Sequence, residues 1–311
     1  MIKLKETTMR KTWVVCLLAM VCCALWGSAF PCIKVGYRLF QIDSADTATQ
    51  ILFAGCRFTI AGIMVILFGS ILQGRFLKPG KGDLPRIGKI CLLQTVIQYF
   101  FFYVGLAHTT GVKGSIVEAS NVFLAILVSS LIFHQEKLDQ KKVLGCIVGF
   151  AGVVLINLSG SNVDMSFNLT GDGFIFISAI AYALSSVLIK KYSAKSDPVM
   201  LSGYQFTAGG LVMGGRIHTA SMPAMILLIY MALISAVAYT LWGILLKYNP
   251  VSKVSIFGFT NPVFGVLLSA IILREGNVFG MKDLIALVLV SIGILIVNWA
   301  KPVGEKEKGM N

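Results

Sequence analysis

The sequence predicts an all-α membrane protein: ten transmembrane helices arranged as two inverted five-helix repeats, with both termini in the cytoplasm. Three observations predict it. The 311 residues are 56% hydrophobic and 13% charged, with a mean hydropathy of +0.82, whereas a soluble domain carries about 25% charged residues. Apolar runs of roughly 17 to 23 residues recur along the chain, each long enough to cross a hydrocarbon core as a helix. The chain also aligns with itself at a spacing near 140 residues.

Inside lipid every backbone N–H and C=O must be paired within its own segment, so such runs are helices. They lack the alternating pattern of a membrane β-barrel. The spans fall at 13–35, 50–72, 90–107, 114–133, 143–158, 173–189, 199–215, 224–246, 254–273 and 284–300. This divides the chain into a cytoplasmic tail (1–12), a first five-helix repeat (13–160), a second (171–300) and a second tail (301–311). Span one follows Lys3, Lys5, Arg10 and Lys11 and so has the look of a secretory leader. It is longer than a leader's apolar core and has a counterpart later in the chain, which reads as a retained helix.

The net charge of +13 is distributed by side. With the N-terminus inside, inner segments hold 20 of the 27 Lys and Arg, including Arg75, Lys78, Lys81, Arg86 and Lys89 between spans two and three. Outer segments hold six: Lys34, Arg38, Lys113, Arg216, Arg274 and Lys282. This is the positive-inside bias of an inner-membrane protein, and it argues against nucleic acid as the partner. The seven cysteines lie in or beside apolar spans and read as small apolar residues. No Cys/His spacing suits a metal, and no residue pattern calls for a cofactor.

Spans three and four match eight and nine at an offset of 140: Tyr99 falls on Tyr239, Lys113 on Lys253 and Ser115 on Ser255. Spans five and ten match at 141, ending in Asn157 and Asn298. Span one, with Trp26-Gly27, answers to span six, with Tyr182-Ala183. In span two Arg57 aligns with Gln205 of span seven. A repeat of five spans enters the membrane from the opposite side in its second copy, and charge counting independently puts Lys113 and Lys253 on opposite faces. Inverted repeats mark many secondary transporters.

The segments Leu25-Trp26-Gly27-Ser28-Ala29-Phe30, Gly105-Leu106-Ala107-His108-Thr109-Thr110 and Asn261-Pro262-Val263-Phe264 … Arg274-Glu275 resemble the EamA family of the drug/metabolite transporter superfamily. The resemblance covers about residues 13–300. It implies ten helices around a central cavity and transport of a small metabolite, amino-acid-like or similar. The expected mode is export by alternating access, with protons as a candidate coupling ion. The competing expectation is a scaffold, or a carrier impaired in span seven. The sequence departs from the pattern twice. Half one has Ser120-Asn121-Val122-Phe123 without the proline, which predicts a span four straighter than span nine. Span seven lacks seven residues relative to span two, which predicts a thin or shortened helix.

Ionisable groups at membrane depth are functional candidates. Glu118 lies about five residues into span four, with Ser115, Asn121, Ala125 and Ser129 on its helical face. It would bind a proton or a substrate ammonium, pair structurally with Lys113, Arg57 or another cation, or snorkel as a surface acid. Gln94, Gln98 and Tyr99 on span three, Tyr239 and Trp242 on span eight, and Trp26 on span one could stack on an organic solute or simply pack helices. Asn261, with Gly258 and Pro262, interrupts span nine in the manner of transporter binding sites or of a packing kink. Arg57 reads chiefly as structural, and Glu136 and Glu275 as folding or gating residues. No His-Glu-x-x-His or Gly-x-Ser-x-Gly motif suggests an enzyme.

Overall fold

The computed structural model describes residues 6–43, 46–109, 111–158, 168–213, 221–273 and 281–299. Among them every regular element is helical. A short turn, α1 (Glu6–Arg10), precedes α2 (Thr12–Leu39) and α3 (Thr47–Gln73). α4 (Leu84–Ile90) and α5 (Gln98–Ala107) are joined into one run by a π-helical stretch, Cys91–Ile97. α6 (Gly111–Glu118) and α7 (Asn121–Leu127) form the next run, which ends in a π turn, Val128–Ile132. Then come α8 (Gln140–Leu158) and α9 (Phe174–Ser193), the latter entered through a π turn at Leu169–Gly173. α10 (Pro198–Val212) and α11 (Met222–Tyr248) follow. α12 (Val251–Ser255) and α13 (Thr260–Leu273) are linked by a 3-10 turn at Ile256–Phe259, and α14 (Met281–Trp299) closes the chain.

Five of these runs are long and apolar enough to cross a membrane by length and composition: Thr12–Leu39, Thr47–Gln73, Leu84–Leu106, Leu169–Ser193 and Met222–Tyr248. Ile116–Ile132 and Leu284–Asn298 are shorter apolar helices. Leu67, Phe68, Ile71, Leu211, Ile226 and Leu295 stand exposed on the exterior, the surface a multi-pass protein presents to lipid tails.

Helix pairing follows one rule. α2 packs on α11 and α13, and α9 packs on α5 and on the α6–α7 run. α3 packs on α10, and α8 on α14. Each pairing maps onto another, or onto itself, when the first and second halves of the chain are exchanged. Small residues set the closest crossings. A Cβ on Gly62 of α3 would sit 2.6 Å from the Gly203 carbonyl oxygen and 2.4 Å from the Thr207 nitrogen of α10. A Cβ on Gly293 of α14 would sit 2.6 Å from the Gly145 carbonyl oxygen of α8. Lipid offers no hydrophobic drive between helices, so backbone approach of this kind supplies the packing.

Span four is not the straighter partner that its missing proline predicts. It breaks between α6 and α7, with Ser120 N–H bonded to Val117 O at 3.0 Å and Val122 N–H to Ala119 O at 3.3 Å. These are i to i−3 bonds, which tighten a turn without a proline. Span nine tightens at the equivalent place, Ile256–Phe259. The two tightened turns meet: a Cβ on Gly258 would lie 3.0 Å from Val122 Cγ2. α10 has 15 residues, about 22 Å at the usual rise. Its start is fixed by Pro198 and by Asp197, whose carboxylate accepts from Val199 N–H at 2.8 Å.

The lysine-rich end of the molecule is fastened by polar contacts. Ser196 and Arg86 both bond Asp83, at 2.6 and 3.0 Å. The Asp83 carboxyl is held below its ordinary 3.8, chiefly by the Ser196 hydrogen bond. Gln73 Nε2 donates to Asp197 at 2.6 Å. Lys190 Nζ donates to the carbonyls of Leu246, at 3.1 Å, and Asn249.

Candidate functional site

The site lies where span four breaks. Glu118 is the last residue of α6, and the turn that follows brings Asn121 back beside it. Asn121 Nδ2 donates to Glu118 Oε1 at 3.3 Å. Glu118 Oε2 is sealed from solvent and has no hydrogen-bond partner. Tyr182 and Tyr239 are close enough to interact electrostatically with Glu118. Asn261 Oδ1 and Ser255 Oγ, on the facing broken run, are also sealed and without partners.

Tyr239 belongs to an aromatic wall. The Trp26 ring lies 5.0 Å from both Tyr239 and Trp242, each edge-on. Phe206 stands 4.9 Å from Tyr239 and stacks on Phe58 at 5.3 Å. Phe58 is 4.4 Å from Tyr99, and the Tyr99 and Tyr239 hydroxyls share a 2.6 Å hydrogen bond. These two tyrosines are equivalent positions of the two halves, and the fold brings them together. Edge-on rings fill space well and leave polar tips to be satisfied. Here the indole nitrogens of Trp26 and Trp242 have no partner, and neither does Gln98 Oε1.

Arg57 enters the same wall from α3. It is 3% exposed. Its Nε donates to Ser235 Oγ of α11 at 2.8 Å, and its guanidinium lies 5.2 Å from the Phe58 ring centre. Arg57 forms no ion pair with Glu118 among the described contacts, and the Lys113 side chain lies outside the described set.

The structure thus gathers Trp26, Glu118, Asn121, Tyr239 and Trp242, with Tyr99 bonded across to Tyr239. Gln94 goes elsewhere. It accepts from Gln205 Nε2 at 3.0 Å, while Thr95 Oγ1 donates to Gln205 Oε1 at 2.6 Å, so this trio ties the π stretch of span three to α10. Ser129, expected on the Glu118 face, instead donates to Glu136 at 3.0 Å. The break at Ala119–Ser120 rotates the later turns away from the regular stripe that the sequence suggests. Ser115 lies in α6, but its side chain is outside the described set, as is all of Glu275. The sequence reading misses Tyr182, Phe206 and Tyr103. Tyr182 is recoverable, because it stands in the second half where Trp26 stands in the first.

The EamA-like transporter family matches residues 13–158 and again residues 169–299. The chain belongs to the EamA-like transporter family. An uncharacterized transporter of Archaeoglobus fulgidus is 25% identical over 304 residues, covering 92% of this chain and 98% of its own. A chloroplastic WAT1-related protein of Arabidopsis thaliana is 25% identical over 290 residues, 88% of this chain and 67% of that one. The uncharacterized transporter YvbV of Bacillus subtilis is 26% identical, covering 88% of each chain. A solved crystal structure superposes with a TM-score of 0.73 at 16% identity, over 92% of this chain and 96% of that one, which shows the shared fold. This EamA-like protein is therefore a membrane transporter and not an enzyme.

Proposed function

We propose that the protein is a secondary carrier that exports a small, amino-acid-like metabolite across the inner membrane. It works by alternating access between two inverted five-helix halves, 13–160 and 171–300, with both termini cytoplasmic and ten crossings. The observation that carries the reading is a set of buried, unpartnered polar atoms on the two broken runs and the helices of the aromatic wall: Glu118 Oε2, Asn261 Oδ1, Gln98 Oε1 and the Trp26 and Trp242 indole nitrogens. Buried polar groups without partners each cost about 1–3 kcal/mol, and a polar solute that satisfies them recovers that cost. Glu118 is the group suited to hold a proton or a substrate ammonium. The double family match and the helix pairing preserved under exchange of halves support a rocking mechanism. Both runs that meet at the site are broken, as transporter helices are where they bind.

The test is transport in proteoliposomes loaded with candidate metabolites, with and without a pH gradient. Movement of a solute that depends on the gradient in the wild type and is lost in Glu118→Gln supports the reading. A protein that folds, yet neither moves nor is thermally stabilised by any member of a broad metabolite library, is a scaffold instead. A C-terminal reporter at Asn311 that works only on the periplasmic side would remove the inverted-repeat topology.

A further inference from the structure

Arg57 occupies a position that does not need a charge. Its equivalent in the second half is Gln205, and the two make the same junction. Arg57 of α3 bonds Ser235 of α11, and Gln205 of α10 bonds Thr95, the residue equivalent to Ser235 at the offset of 140. On the second-half side the junction is neutral and complete: Gln205 uses its oxygen on Thr95 and its nitrogen on Gln94. On the first-half side a guanidinium with five N–H donors spends one on Ser235, and its two terminal nitrogens make no hydrogen bond with any described residue. No carboxylate among the described residues pairs with it. Arg57 is the eleventh residue of the 27-residue α3, about 15 Å along it, so it lies near mid-depth, where an unpaired cation is costly. Its guanidinium stands 5.2 Å from the Phe58 ring, Phe58 stands 4.4 Å from Tyr99, and Tyr99 is hydrogen-bonded to Tyr239. Tyr239 also senses Glu118, so this one ring lies within reach of both charges.

Resting on the reading of this chamber as a solute site, we infer that Arg57 is the receptor for a carboxylate on the transported solute. The cargo is thereby zwitterionic. Its carboxylate lies on the terminal guanidinium nitrogens, its ammonium end is turned to Glu118, and its apolar flank rests on the aromatic wall. A planar guanidinium matches a carboxylate through two parallel hydrogen bonds, and the terminal nitrogens that would make them bond no described residue. The two charges answer to Gln205 and Gly258 in the second half, so all the charge selection lies in the first half.

The experiment compares thermal stabilisation of the purified wild-type protein by leucine, methionine and phenylalanine with that by their amides and by the matching deaminated acids. Each amide keeps the ammonium and side chain but lacks the carboxylate. The expected result is half-maximal stabilisation by the amino acids at concentrations about tenfold or more below those of the amides, the span of a charge-assisted hydrogen bond. Arg57→Gln, which copies the neutral junction of the other half, should fold and lose that preference, while Arg57→Lys should keep part of it. Equal stabilisation by acids and amides in the wild type overturns the inference while leaving a solute site in place, and so does an undiminished preference in Arg57→Gln. No stabilisation by any of the three series overturns the solute site and this inference together. The wild-type comparison decides the matter even if both variants fail to fold.

Discussion

Glu118 and Glu136 belong to one stretch of chain, and the fold treats them oppositely. Glu136, just beyond the π turn that ends span four, is saturated. It receives Lys142 Nζ at 2.7 Å, Ser129 Oγ at 3.0 Å, the Ser252 N–H at 3.0 Å and the Ser252 hydroxyl. Through Ser252 it holds the start of span nine to the end of span four. Glu118 has one long bond from Asn121 and a second oxygen with nothing. An acid with four donors is there to hold helices together. An acid with one donor and one unpartnered oxygen is poised for something that comes and goes.

The largest effect should come from removing the saturated acid. Glu136→Ala leaves the largely buried Lys142 without its counter-charge and strips the first turn of span nine. Breaking a buried pair on one side costs about 3–5 kcal/mol, so the variant should express poorly and melt well below the wild type in detergent. A melting temperature equal to the wild type would mean that the Glu136 contacts are incidental, and the contrast between the two acids would lose its structural half.

Acidity sharpens the same point. Burial pushes the Glu136 carboxyl up, but the Lys142 and Ser252 hydrogen bonds and the Lys142 charge hold it below its ordinary 4.5. A carboxyl depressed in the folded state stabilises fully above its unfolded pKa, and that stabilisation fades as pH falls through the folded value. The gap in melting temperature between wild type and Glu136→Gln should therefore be widest near neutral pH. It should close on acidification below about 4. A gap that widens on acidification would contradict the sign of the shift.

A smaller effect is expected at Ser129→Ala. It removes one donor of four from Glu136, worth about 1 kcal/mol, or up to about 3 with a charged acceptor, and it touches nothing at Glu118. Melting should drop modestly while transport continues. Loss of transport without loss of stability in Ser129→Ala would place that serine on the solute path, where the regular helical stripe in the sequence puts it.

The sequence makes the helical class legible because lipid leaves so few alternatives: long apolar runs in a membrane become helices. It also makes the pairing of Tyr99 with Tyr239 recoverable, since residues equivalent across two halves meet where the halves meet. Local breaks are harder to read. Span four turns at Ala119–Ser120 without a proline because its neighbour at Gly258 leaves room for close approach, a property of the contact and not of either segment. Gln94 reads as a binding group because it sits one helical turn from Gln98. Its true partner is Gln205, more than a hundred residues away, and the π stretch that aims it leaves no clear mark in composition. Arg57 reads as structural because an arginine at depth usually has an acid beside it, and among the described residues its one hydrogen-bond partner is Ser235 instead.

The smallest expected change in stability is the one that most tests the contrast. Glu118→Gln keeps the volume and the Asn121 neighbour of the acid and gives up only the ability to ionise. If Glu118 held the fold as Glu136 does, the amide would leave a cation uncompensated and the melting temperature would fall as far as in Glu136→Gln. Among the described residues no such cation bonds Glu118, so stability should stay within about 0.5 kcal/mol of the wild type, as for substitutions that break no buried partnership. Transport driven by a proton gradient should vanish, because the amide neither takes up nor releases a proton. Exchange of internal for external solute needs no net proton movement and could survive. Melting and gradient-driven transport measured on one preparation therefore separate the alternatives. A fall in melting assigns Glu118 to the same structural class as Glu136. Unchanged melting with unchanged gradient-driven transport removes it from the mechanism and shifts the search for the coupling group to the rest of the chamber.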